Sequence, residues 1–347
     1  AMQLITEIAK HLGHLTVFQR AANDIKPLRN GPIDDVTQAR IHAEYPEIFR
    51  KCRESFAGFI HDVDPRSVFD VSAEERRAIY ERLWAEPGFG FWLGNFADIA
   101  TDRAANETIA EFVREKIRER VRDPKVAAML TPTDHAFGTK RVPLESGYFE
   151  AFNRDNVKLI DTRATPIERI TATGVKTSEG EFPVDIIIFA TGFDAATGAH
   201  NRIDIRGDEG QSLKEKWAGG PSTFLGMQTV GFPNMFIVGG GPQNSASFCN
   251  VPRCIEQNVE WVAETLAWLR AKGITYMAAT PEAEAAWGEH VDETVAGTLI
   301  PDTASWFMGA NIPGKKRGFL LYAGGLPTFR QKCNEVAAAG YAGFTLA

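Results

Sequence analysis

Residues 184–194 read Val-Asp-Ile-Ile-Ile-Phe-Ala-Thr-Gly-Phe-Asp, a β-branched apolar run that stops on small residues and an acid. A short apolar run of this kind predicts a buried strand. Small side chains at its carboxyl end let the backbone approach a flat ligand in the crevice of an α/β sheet. The same geometry is expected at Asn234–Val238, a second buried strand that opens on Gly239-Gly240-Gly241-Pro242 before a helix. Glycine after a strand is by itself an ordinary turn. Two such ends together favour a nucleotide site.

The start of the chain reads as the second half of a βαβ nucleotide-binding unit. Met2, Ile5, Ile8, Ala9 and Leu12 share a helical face, and Gly13 is expected to end that helix. Leu15–Phe18 then forms a strand, followed by Gln19 and Arg20. The first strand and the glycine turn of such a unit are missing ahead of the helix. At the tip of this strand an acid accepts the 2′-hydroxyl of NAD, whereas an arginine accommodates the 2′-phosphate of NADP. Arg20 therefore points to NADP.

Charged, helix-periodic sequence dominates residues 33–135, which read as a helical insertion within the nucleotide domain. Ser72-Ala-Glu-Glu75 is a capping box. Ile109, Phe112, Val113, Ile117 and Val121 form an apolar stripe that Asp123-Pro124 should stop. Phe89, Phe91, Trp92 and Phe96 read as core. Further on, 153–159 gives a turn and a strand, and 167–177 with 181–189 an antiparallel pair joined through Ser178-Glu179-Gly180. A helix follows with Ile255, Val259, Val262, Leu266 and Leu269 on one face and Gly273 beyond its end.

Across 347 residues, 38 basic against 45 acidic side chains leave a net charge of −7, which argues against non-specific nucleic-acid binding. No apolar run approaches the roughly 18 residues of a membrane span, and the first residues lack the features of a signal peptide. Cys249 and Cys254 are five apart, a spacing used by some dithiol enzymes, but no strand and glycine loop frame them. All four cysteines are expected as free thiols, which places the protein in the cytoplasm. The histidines show no metal-ligand spacing, so no metal is expected.

Several blocks, in nearly unbroken order along the chain, are similar to the flavin-dependent Baeyer–Villiger monooxygenases. They are LTVFQR, NFADIATDRAAN, KRVPLESGYFEAFNRDNVKL, IIIFATGFDA, IEQNVEWV and SWFMGANIPGKK. The resemblance implies an α/β flavoprotein of the two-dinucleotide-binding-domain, Rossmann-like fold, N-terminally truncated and carrying a helical insertion. The expected organisation is 1–32 and 136–192 as parts of an NADP-binding domain, 33–135 as the insertion, and 193–347 as the C-terminal part of an FAD-binding domain with an active-site loop. The family's N-terminal FAD segment and its identifying stretch are not found. The chain is thus expected to be a C-terminal portion, inactive alone, whose partner is a missing N-terminal FAD-domain segment.

The cofactors implied are FAD and NADPH, with a ketone and O2 as substrates. Reduced flavin captures O2 as a C4a-peroxide, and an ester or lactone results. Arg141 matches the catalytic arginine, whose permanent charge suits a developing oxyanion. Lys140 and Arg20 match positions near the NADP 2′-phosphate; Ala21 replaces a common hydroxyl residue, removing about 1 kcal/mol of phosphate binding. Thr191, Gly192 and Asp194 match the link between the two cofactor domains, and Trp306 a tryptophan set against the nicotinamide ribose. Asn250 and Phe248 fall in the segment along the flavin ring and substrate pocket, where GGGPQNSASFCNVP departs from the family pattern. Gly309, Pro313 and Gly314 mark a loop folded over the site, with Lys315 and Lys316 read as solvated charges. Two other readings stay open: a flavin monooxygenase oxidising amines or sulfides, and a non-catalytic remnant.

Overall fold

In the computed structural model, which describes residues 1–245 and 249–347, contacts divide the chain into two units. One comprises residues 1–31 and 63–192, the other 32–62 and 193–347. The break at Gly192/Phe193 falls inside the ATGFD motif. Residues 32–62, expected at the head of the helical insertion, group instead with the C-terminal unit.

The first unit holds β1 (Leu15–Gln19), β2 (Lys26–Pro27), β3 (Leu144–Glu145) and β4 (Val157–Asp161). β1 pairs in parallel with β4, Val17 opposite Leu159, and β2 pairs in parallel with β3. The helix before β1 covers only Met2–Ile8 and does not reach Gly13. Asn156 explains the early end, because its side-chain amide takes the carbonyls of Ala9 and Leu12 at 3.0 and 2.8 Å. Ala9 is its buried foot, while Leu12 is 40% exposed.

The helical part supplies the core. Helix Arg103–Arg120 starts on Asp102, whose carboxylate accepts from the Ala105 amide at 2.7 Å. Its expected stripe is buried: Ile109, Val113 and Ile117 are fully shielded, and Phe112 meets Tyr80, Trp84 and Phe91. Val121 packs just beyond its end. Asp123-Pro124 does more than stop this helix. Asp123 caps, and Pro124 opens, a further helix, Pro124–Leu130, where a missing N–H costs nothing. Ser72 caps Ala73–Ala85 through the Glu75 amide, but the Glu75 carboxylate turns to Arg66. Only half of the box forms.

β5 (Ile167–Ile170), β6 (Gly174–Thr177) and β7 (Gly180–Pro183) make an antiparallel meander, so the segment expected as one strand from 167 to 177 is itself a hairpin. The decisive difference comes next. Residues 184–192 form no strand, and Ile186, Ile188 and Phe189 are 74, 54 and 73% exposed. A strand exists only as a member of a ladder, and beyond the Val184 amide, which bonds the Thr173 carbonyl at 3.0 Å, these backbone groups find no ladder partner among the described residues. The expected strand at 234–238 is absent for the same reason; Asn234 is held to Met277 by its amide and its side-chain oxygen, and Ile237 bonds singly to Met227.

In the second unit, β8 (Met277–Ala279) pairs antiparallel with β9 (Phe344–Leu346). Helix Val251–Lys272 ends on Gly273 at φ 70°, as its sequence predicts. Its buried face differs from expectation: Asn258, Trp261, Thr265 and Leu269 face inward, while Val259 and Leu266 are about half exposed. Asn258 and Thr265 are accommodated because each finds a bond, to the Gly239 amide and the Trp261 carbonyl. Helix Asp35–Glu54 belongs here through Arg330, which donates to the Arg53 carbonyl at 2.8 Å, and Leu326, which donates to Phe56. Cys249, just before this helix, and Cys254, in its first turn, are paired as a disulfide with Cα atoms 6.8 Å apart. The expectation of free thiols holds for buried Cys52 and Cys333 only. No helix of the described residues is long and apolar enough to cross a membrane.

Lys26 in β2 is 1% exposed, and its ammonium donates to the Glu86 carbonyl. Burial, aided by Arg29, pushes its pKa down to about 8. The unfolded lysine holds its proton to higher pH, so stability rises with pH between about 8 and 10.5. Lys26→Met should therefore stabilise the protein at pH 7 by roughly 2 kcal/mol, net of the lost hydrogen bond. Urea melts at pH 7 and pH 10.5 check this; an advantage that does not shrink at the higher pH would contradict it.

Candidate functional site

In the first unit the site residues stand on the loop between Leu130 and β3. The loop is pinned from below by Asn106, 2% exposed, on the first turn of helix Arg103–Arg120. Its side chain donates to the carbonyls of Ile99 and Phe137, and accepts from the Phe137 amide at 2.8 Å. Gly138 follows at φ 79°, where a Cβ would lie 2.8 Å from the Trp92 indole nitrogen. No larger residue fits there without displacing Trp92.

Lys140 and Arg141 come next. The Lys140 ammonium is 3.4 Å from Asp134 Oδ1, and Asp134 also accepts from Arg163 at 2.5 Å and from His135 at 2.6 Å. Burial opposes ionisation of Asp134, but the bonds from Arg163 and His135 and the charge of Lys140 hold its carboxyl well below the usual range. Arg141 is exposed, and its guanidinium lies 5.8 Å from the centre of the Phe89 ring. Its carbonyl accepts from the Asn23 side chain at 2.9 Å. Arg20 follows β1 and is exposed, with no hydrogen bond or ion pair among the described residues. Thr191 and Gly192 are exposed, Gly192 at φ 91°.

In the second unit Asp194 meets the SWFMGANIPGKK loop. The Lys315 ammonium bonds Asp194 Oδ1 at 2.5 Å and the Ala195 carbonyl at 2.9 Å, and the Asn311 amide bonds the Phe193 carbonyl at 2.9 Å. Lys315, read from sequence as a solvated charge, is 12% exposed. No sequence pattern marks a lysine and an aspartate 121 positions apart as partners. Trp306 opens a short helical turn that Gly309 closes at φ 67°, and its ring packs edge-on at 4.6 Å against buried Phe307.

The glycine cluster is anchored by Gln243, whose side-chain oxygen accepts from both the amide and hydroxyl of Thr223 at 2.9 Å. Gly239 and Gly240 adopt positive φ; a Cβ on Gly239 would strike Ile255, whereas Gly240 opens to free space. The Asn250 side chain donates to the Gly58 carbonyl at 2.9 Å, so that amide hydrogen serves the fold. Phe248 lies outside the described residues. Ser245 Oγ, Ser305 Oγ and Asn311 Oδ1 are buried with no hydrogen-bond partner among the described residues. Ser245 follows the open Gly240 by five residues, and an unpaired oxygen there fits the polar edge of a bound cofactor.

No family model matches the chain. It is 42% identical over 348 residues to cyclopentanone 1,2-monooxygenase of Comamonas sp., covering 100% of this chain and 63% of the relative. It is 40% identical over 347 residues to phenazine N-monooxygenase PhzNO1 of Lysobacter antibioticus, covering 99% and 63%. Among solved structures, OTEMO in complex with FAD and NADP superposes at a TM-score of 0.96 and 41% identity, covering 100% of this chain and 64% of that one. The chain thus spans less than two thirds of these proteins' length. Its fold is that part of an α/β flavoprotein.

The Asp194–Lys315 pair is partly shielded, so breaking it should loosen the 309–316 loop. Lys315→Met is expected to cost about 1–2 kcal/mol and to speed proteolytic cleavage within the loop. Unchanged cleavage and unchanged melting would show that the pair does not hold it.

Proposed function

Homologous along its whole length to Baeyer–Villiger monooxygenases, this chain is, we propose, the C-terminal portion of an FAD- and NADPH-dependent enzyme of that family. The whole enzyme inserts one oxygen atom of O2 beside a ketone carbonyl to give an ester or lactone. Bound flavin supplies the activation of O2 with electrons taken from NADPH. The chain's own residues bind, orient and exclude water.

The observation that carries the reading is Arg141: a permanent cation on a loop pinned by Asn106, its carbonyl gripped by Asn23. A guanidinium fixed in advance stabilises negative charge as it develops on oxygen without reorganising at that moment. Arg20, without a partner among the described residues, is the group offered to the NADP 2′-phosphate, and Lys140 is the second. Lys140 shares Asp134 with Arg163 and His135, so its contribution is the smaller. Trp306 packs on the nicotinamide side, and the 309–316 loop, tied to Asp194, keeps water from the reacting oxygen. Thr191 and Gly192 are exposed, and their small side chains leave the backbone open to a ligand.

A second reading has one observation behind it. A relative at 40% identity is named for N-oxygenation, so the same framework serves a nitrogen substrate in that protein. Product analysis on a cyclic ketone and on an aromatic N-heterocycle separates the two.

In the full-length enzyme, Arg141→Ala should abolish ester formation while NADPH still reduces the flavin. In the same assay Arg20→Ala should raise the KM for NADPH at least about tenfold and leave product per NADPH unchanged. Ester formation surviving Arg141→Ala would overturn the assignment. Purified alone, the 347-residue chain should show no flavin absorbance and no oxygenation. A yellow preparation of that mass would refute the proposal that it is only part of the enzyme.

A further inference from the structure

We propose that His135 is a positioning residue for Arg141, acting through Asn23; this rests on the role given to Arg141 above. The His135 side chain is fully buried, and both of its ring nitrogens face acceptors. Nδ1 lies 2.6 Å from Asp134 Oδ1, and Nε2 lies 3.2 Å from Asn23 Oδ1 and 3.3 Å from Asp24 Oδ2. A neutral imidazole has one donor, and would leave a lone pair against one of these oxygens. Asp24 is 3% exposed, and its Oδ2 has no hydrogen-bond partner among the described residues, so the ring edge is the cationic group set against it. The arrangement is satisfied when both nitrogens carry protons and the ring sits as an imidazolium between Asp134 and Asp24.

The second proton gives Asn23 a direction. A carboxamide can present either its oxygen or its nitrogen to a neighbour. With Nε2–H donating to Oδ1, Asn23 must turn Nδ2 the other way, where it donates to the Arg141 carbonyl at 2.9 Å. The peptide plane that launches the Arg141 side chain is thereby tied to a buried ring. The ring is fixed in turn by Asp134, which Arg163 and Lys140 hold in place. His135, Asn23 and Asp24 touch neither ketone nor cofactor in this scheme. They set where the guanidinium begins.

The test uses the holoenzyme and three variants. His135→Phe removes both donors. Asn23→Asp keeps an acceptor for His135 but puts an oxygen against the Arg141 carbonyl. His135→Gln keeps a donor at the Nε2 position. The first readout is coupling, the ester formed per NADPH consumed, the remainder appearing as hydrogen peroxide when NADPH, a proton and O2 yield NADP+ and H2O2. His135→Phe and Asn23→Asp should lower coupling by about tenfold at an unchanged rate of flavin reduction, as expected for a misplaced orienting group. His135→Gln should restore most of it.

The second readout is amide hydrogen exchange, which needs no catalysis. Exchange across residues 139–143 should rise about fivefold in the two disruptive variants and stay near wild type in His135→Gln. Unchanged coupling and unchanged local exchange would overturn the inference, as would exchange that rises equally throughout residues 63–192, the mark of a residue that only supports the fold. If the wild type makes no ester at all, the functional reading fails by itself, and the exchange pattern still decides whether His135 orders Arg141.

Discussion

A single buried carboxamide underlies the first half of the site. Asn106 donates to two carbonyls, on Ile99 and Phe137, and accepts from one amide, so it joins a turn before its helix to the loop that bears Lys140 and Arg141. A loop cannot normally be buried without leaving backbone groups unsatisfied. Here one side chain with donors and an acceptor answers that problem at the point where the loop crosses the aromatic core. Phe137, thus fixed, packs on Phe91, and Phe91 on Phe112 and Trp84. The loop that bears Lys140 and Arg141 is therefore anchored in the aromatic core of its unit.

Charge is arranged on the same plan. Asp134 accepts from Arg163 and His135 and lies 3.4 Å from Lys140, so one carboxylate ties three side chains around the loop. A cation held by a shared carboxylate is placed without being fully neutralised. In the second unit the ratio is one to one: Asp194 and Lys315 close on each other. The first arrangement shares one acid among several donors, and the second is spent on holding a loop.

Sequence reading succeeded where the signal is local. The stripe of Ile109, Val113 and Ile117, the strand at Leu15, and Gly273 after its helix each follow from residues a few positions apart. It failed where structure depends on a distant partner. Residues 184–190 have the composition of a strand, but composition cannot supply the neighbour that a strand needs, and Ile186 and Phe189 stand exposed. The inward face of helix Val251–Lys272 was misjudged because Asn258 and Thr265 look like surface residues until their backbone partners are known. Family resemblance pointed to Arg141, Lys140 and Asp194 as individuals. Their supports, Asn23, Asn106 and Lys315, are ordinary polar residues whose meaning lies wholly in what they reach.

The ring of Phe89 beneath Arg141 has a consequence for readiness. An aromatic face attracts a cation through its quadrupole and asks for no N–H in return. A carboxylate in the same place would occupy the fork, and any incoming anion would first have to evict it. Resting on a π-cloud, the guanidinium gives none of its five N–H vectors to a partner among the described residues, like a hand laid open on a table.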